Sequence, residues 1–170
     1  MALPHLTFIV QAAVCCALFT AAILASLHHD PVVSFRTYPP AVQERMRARP
    51  EYADQIPTDA KTVGRKIAAA FVIATALATA SWLAGARDAA SALAWSLGLW
   101  SAVNLRDALV IDTLWFCRGW GYRLPGTEDR EAEYRKVGRH RVDFLKGEAI
   151  GGLAVSLAAA GLIAPVGYVG

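Results

Sequence analysis

Charge is what this chain lacks, and it lacks it in blocks. Residues 1–29 contain no Asp, Glu, Lys or Arg, and neither do residues 67–86 or 149–170. Across 170 residues the charged fraction is 18% against 55% apolar, and the mean hydropathy is +0.35. That balance lies outside the mixture of a water-soluble domain and predicts membrane insertion of one single-domain chain. Cysteine is scarce too. Cys15, Cys16 and Cys117 show neither CxxC nor Cys/His spacing, which excludes a disulfide scaffold or zinc site and leaves small buried hydrophobes. Histidine is missing from the second, third and fourth apolar runs, so a haem held between facing helices is excluded. No Walker loop, HExxH or GxSxG occurs. The basic residues share their segments with acids, so no nucleic-acid-binding stripe forms. Neither a cofactor nor a metal is expected.

What remains is an all-α chain, an integral membrane four-helix bundle. A spanning helix needs about 20 apolar residues, and the runs at about 6–27, 67–86, 89–116 and 149–169 supply them. The first run has no positive n-region and is too long for a signal-peptide core, so a retained helix is expected. Prolines at 31, 39, 40, 50 and 57 prevent the segment up to Arg65 from forming one long helix. A very short turn around Gly85 makes the second and third runs an antiparallel hairpin. Trp115, Trp120 and Tyr122 could mark an interface, and Pro125-Gly126 suits a tight turn. Residues 127–146 read as an amphipathic helix at the membrane surface. Gly152, Ser156 and Ala160 form a ladder of small residues suited to close helix contact.

Lys and Arg divide unevenly. Seven lie at 28–66, eight at 117–147, one (Arg87) in the middle turn and none in the tails. Basic loops stay cytoplasmic, so both long loops are expected inside a plasma membrane and both termini outside.

The third run is the exception to the shortage of charge, because it carries Asn104, Arg106, Asp107 and Asp112. Ionisable side chains at membrane depth face a bundle interior or a wet cavity. At about 100° per residue, Ser96, Ser101, Asn104, Asp107 and Asp112 share an arc of about 160°, while Arg106 points elsewhere and needs a partner on another helix or at the interface. A polar site at the cytoplasmic boundary is therefore expected from Asn104, Arg106, Asp107 and Asp112, with His28, His29, Arg118, Arg123 and His140. The competing expectation is that these groups snorkel and lock helix to helix.

Two functions stay open. One is a non-enzymatic component of a transport or envelope assembly, whose partners are the bilayer with its anionic headgroups and a second copy or another membrane protein. The other is a membrane-embedded enzyme acting on a lipid or isoprenoid-phosphate headgroup. There Arg106, Arg118 and Arg123 would hold the anion and Asp107 or Asp112 would act as general base. A proton or ion conduit through Asp107 and Asp112 is a third, weaker reading.

Several local motifs follow one another along the chain: Asp30-Pro31, Tyr38-Pro39-Pro40, Asn104-Leu105-Arg106-Asp107, Ile111-Asp112 and Pro125-Gly126-Thr127-Glu128 leading to Phe144-Leu145-Lys146-Gly147. In these the chain resembles an uncharacterised family of four-helix bacterial inner-membrane proteins over roughly residues 25–150. The resemblance implies four spans and no particular activity. The basic run at 135–141 departs from that family's more aromatic, less basic segment.

Overall fold

A computed structural model describes residues 3–119 and 123–167. The described residues are all-helical, with no strand. Helix α1 is Leu3–His29, followed by a 3-10 segment, Pro31–Thr37. Two short helices come next, α2 at Pro40–Arg47 and α3 at Pro50–Ala53. Helix α4 is Asp59–Leu83 and α5 is Ala89–Arg106, which runs on as a π-helix over Asp107–Cys117. After a 3-10 turn at Glu128–Arg130 come α6 at Glu131–Tyr134 and α7 at Val137–Lys146. A second π-helix, Gly147–Gly152, joins α7 to α8 at Leu153–Gly167. Among the described residues three stretches are long and apolar enough to cross a membrane: Pro4–His29, Asp59–Leu83 and Val142–Ala164.

The helix ends follow from capping chemistry. Thr58 Oγ1 accepts the Lys61 amide at 3.3 Å to start α4. Gly85 adopts φ +95°, a value few side chains tolerate, and lets the Ala86 amide reach the Ser81 carbonyl at 3.0 Å. Asp88 Oδ1 then accepts from Ala90 and Ser91 at 3.0 and 2.9 Å, which opens α5 and closes the hairpin.

Helix α5 stands at the centre, packed against α1, α4 and α8, with α4 and α8 also packed on each other. The shared core includes Leu77, Ala78, Ala92, Leu99, Val155, Ala159, Ala160 and Ile163. The small-residue ladder lies in it, with Gly152, Ser156 and Ala160 all buried. Trp100 fills the space that glycine leaves: a Cβ at Gly152 would sit 2.5 Å from its Cδ1. Gln11 ties α1 to two helices by donating to the Ala80 carbonyl at 2.9 Å and accepting from Trp95 Nε1 at 2.7 Å.

The 127–146 region differs from the single surface helix expected. It breaks at Arg135–Lys136, where Lys136 is extended with ψ 93°. That bend turns Tyr134 inward to 1% exposure. Beyond it, α7 runs into α8 as one rod, so this rod begins at Val137 rather than near residue 149.

The two long loops meet at one end and bury a second core of Val32, Phe35, Tyr38, Val42, Met46, Tyr52, Leu124 and Tyr134. This cap is aromatic at its centre. The Tyr38 ring lies 6.1 Å from Tyr134 and 6.0 Å from Phe116, and Phe116 lies 5.6 Å from Tyr134.

Candidate functional site between α5 and the α7–α8 rod

The polar residues of α5 reach three neighbouring helices. Ser96 meets Ser81 of α4, oxygen to oxygen, at 3.0 Å and fully buried. Asn104 Nδ2 donates to Glu148 Oε2 at 2.9 Å and to the Phe144 carbonyl at 3.3 Å, both on the α7–α8 rod. Ser101 donates its hydroxyl to the other Glu148 oxygen. Glycine permits this approach, since a Cβ at Gly147 would come within 3.1 Å of Asn104 Oδ1. Arg106 turns the opposite way, to Thr20 Oγ1 and, at 3.4 Å, the Cys16 carbonyl of α1. The arc drawn from the sequence therefore separates Arg106 from Asn104 as the structure does.

Asp107 and Asp112 lie half-buried on the π-helical continuation. Thr113 Oγ1 donates to the carbonyl of Ala108, five residues back, at 2.7 Å. A helix with i→i+5 bonds turns less per residue than an α-helix, so the 100° wheel loses its register past Arg106. The second π segment packs against α5 and contains Glu148. π-helical turns are rare and frequent at functional sites; here Glu148 lies within one of them.

The site has a defined level. Ser81 is level with Ser96, and Glu148 with Ser101 and Asn104. At 1.5 Å per residue Glu148 then sits about 10 Å from the serine pair, level with Ala74 and Thr75, and Lys66 lies about 13 Å further toward the loops. Glu148 thus falls inside the apolar Val142–Ala164 stretch.

Other expected site residues are placed elsewhere. His28 and His29 are exposed at the end of α1, ring centroids 6.2 Å apart. Arg118 is exposed where the π-helix ends, just before Gly119 at φ +94°. Arg123 belongs to the loop cap. Its Nε donates to Glu131 Oε2 at 2.9 Å, and its guanidinium lies 4.4 Å over the Tyr134 ring. This guanidinium holds the Glu131 carboxyl below its ordinary value, and burial pushes the Tyr134 phenol up. Trp120, Tyr122 and the His140 side chain lie outside the described residues.

The motifs at Asp30-Pro31, Tyr38-Pro39-Pro40 and Pro125–Glu128 build this cap. Gln43 Nε2 donates to the Tyr38 carbonyl at 2.8 Å, and Tyr52 donates its hydroxyl to the Pro125 carbonyl at 2.9 Å. Gly126 turns at φ +79° under the Arg49 guanidinium, with its amide on Glu128 Oε1 at 2.8 Å. Thr127 Oγ1 donates to the Leu124 carbonyl at 2.7 Å and shares a proton contact with Tyr134 Oη at 2.9 Å. Asp30 caps the segment after α1 by accepting the Val32 amide at 3.0 Å.

No protein-family model, curated protein or solved structure matches this chain. Its chemistry must be read from its own side chains. An apolar groove of about 570 Å³ opens between α1 and α4, lined by Val10, Gln11, Val14, Leu18, Phe71, Val72 and Thr75 among others. None of Asn104, Arg106, Asp107, Asp112, Arg118 or Arg123 lines it. Glu148, Ser101, Thr20 and Gln11 are the residues that sequence reasoning missed as site members. A glutamate preceding a 22-residue uncharged run was the available signal, whereas neutral Gln11 and Thr20 gave none.

Proposed function

We propose that this chain is a four-span protein of the bacterial inner membrane, with both long loops cytoplasmic, and that it serves as a non-enzymatic component of a membrane assembly. One observation carries the reading: the polar residues of α5 are spent on joining helices. Asn104 and Ser101 hold the α7–α8 rod through Glu148, and Arg106 holds α1 through Thr20. An enzyme of lipid phosphates would instead converge its arginines and a carboxylate on one cavity. The fourth span is α5 with its π extension, where Arg106 is turned onto α1 and Asp107 and Asp112 are half-buried. The loop cap supports a common side for both loops, since Arg45 pairs with Asp129 at 3.5 Å across it.

Purification of the full chain in mild detergent, with mass spectrometry of everything that elutes with it, tests this function. A stoichiometric protein partner or a second copy is the expected result. A stoichiometric lipid- or isoprenoid-phosphate with neither would overturn it in favour of the enzyme. The orientation is checked by labelling Arg45→Cys and Arg135→Cys, in chains whose native cysteines are replaced by alanine, with a membrane-impermeant thiol reagent. Both sites are expected to react from the cytoplasmic face; reaction from opposite faces sinks the four-span topology.

A further inference from the structure

Helices α1 and α4 both pack on α5 and leave between them the groove of about 570 Å³. Its walls are Val10, Val14, Leu18, Phe71, Val72 and Leu83. The amide and hydroxyl side chains that reach it are engaged elsewhere. Thr75 and Thr79 donate to the Phe71 and Thr75 carbonyls, each at 2.9 Å, and Gln11 joins the Ala80 carbonyl to Trp95. An occupant therefore meets hydrocarbon along most of this length. From Phe71 to Leu83 the groove runs about 18 Å, which gives a mean cross-section of about 30 Å². A helix with its side chains is about 10–12 Å across. It enters such a groove only by its side-chain tips, whereas an extended hydrocarbon chain fits lengthwise.

Apolar fit alone selects nothing in a bilayer, because lipid tails are as apolar as the groove. Selection has to come from an end, and one end carries charge. Leu83 lies about 26 Å from Lys66 along α4, close to the roughly 30 Å of a hydrocarbon core. The groove thus reaches the interface opposite the loops. Trp82 stands at that end, seven and eleven residues after Thr75 and Phe71 on the same stripe of α4. The Arg87 guanidinium lies 3.7 Å over the Trp82 ring, and its Nη1 donates to the Trp82 and Ala86 carbonyls at 2.7 and 3.0 Å. These contacts fix an exposed cation in place.

Among the described residues no acid pairs with Arg87. Its neighbour Asp88 has both carboxyl oxygens committed to the start of α5, Oδ1 to the Ala90 and Ser91 amides and Oδ2 to the Ser91 hydroxyl. The Nε and Nη2 edge of Arg87 is left for an outside anion, and this fixed fork of N–H groups matches a phosphate.

We propose that the groove binds one phospholipid of the leaflet away from the loops, with an acyl chain lying between α1 and α4 and the phosphate of an anionic headgroup on Arg87. The proposal rests on α4 crossing a membrane and is independent of any protein partner.

Native mass spectrometry of the full chain tests it, in mild detergent supplemented with phosphatidylglycerol or with phosphatidylcholine of the same acyl chains. One phosphatidylglycerol per chain is expected to stay bound, at several times the occupancy of phosphatidylcholine. R87Q should lower the phosphatidylglycerol occupancy about fivefold, the worth of one basic residue at an anionic surface, and leave phosphatidylcholine unchanged. A76W sets an indole into the groove from an exposed position of α4 and should abolish both, with helical circular dichroism unchanged. Three results overturn the proposal: phosphatidylglycerol binding that ignores both substitutions, equal retention of the two lipids, or a lipid-free dimer that A76W dissociates. A lipid displaced by A76W belongs to the groove and gives no support to the enzyme reading. The assembly reading stands or falls separately, on the protein that elutes with the parent chain.

Discussion

Gly152→Val separates the α7–α8 rod from α5 and lowers stability by about 3 kcal/mol, the upper end of what overpacking costs a well-packed core. The reason is geometric. Trp100 already occupies the volume over this glycine, with Cδ1 and Nε1 only 2.5 and 2.6 Å from where a Cβ would stand. A planar indole held by α5 cannot yield without moving the helix. Relief must come from a shift of the rod, which also pulls Glu148 from Ser101 and Asn104, one turn away on the same rod. Gly161 is the control. It lies on the same helix with nothing within 4 Å of an added Cβ, so Gly161→Ala should gain up to about 1 kcal/mol from helix propensity. Unfolding of both variants in detergent, followed by helical circular dichroism, gives the comparison. The double variant G152V/W100L should recover much of the loss, because the penalty belongs to the pair. Unchanged stability of G152V would show that Trp100 does not bear on the rod.

How much of this was legible beforehand depends on the interaction. Charge-free runs located the long helices to within a few residues at most ends, because apolar length is a local property. The separation of Arg106 from Asn104 was legible because α5 keeps its α-helical step up to that point. Asp112 was not placeable in the same way, since the helix widens to π from Asp107 and no sequence period announces that change. The depth of Glu148 was not legible for a related reason. Its helix starts at Val137, so a residue just before an uncharged run lies well inside the rod. The cap was least legible of all. Tyr38 and Tyr134 are ninety-six positions apart, and nothing in the periodicity of either loop names the other as its partner. Motifs such as Tyr38-Pro39-Pro40 and Pro125-Gly126-Thr127-Glu128 stand far apart in sequence, yet in space they are the walls of one small aromatic core.

That core sets the second large effect. Tyr134→Ala should cost about 4 kcal/mol, the range for removing a large buried aromatic side chain, and the loss should fall on the loops rather than the long helices. The Tyr134 ring touches Tyr38 and Phe116 and lies under the Arg123 guanidinium, while its hydroxyl meets Thr127. Without it the loops at 30–58 and 118–136 lose their common contact, so limited proteolysis should cut within them at least tenfold faster while helical content holds. Tyr134→Phe keeps the ring and should cost about 1 kcal/mol for the hydroxyl. The pH response follows the same contacts. The Glu131 carboxyl is held below its ordinary value by Arg123, so its contribution is present above the unfolded value and lost as pH falls through the lowered one. The Tyr134 phenol is raised by burial, so its contribution is intact below the ordinary phenol range and lost as pH rises through the raised value. Protease sensitivity of the loops should therefore be lowest between these limits and climb at both extremes, with the alkaline rise missing in Tyr134→Phe. If Tyr134→Ala left the loops as resistant as the parent chain, the aromatic cluster would not be what holds them together.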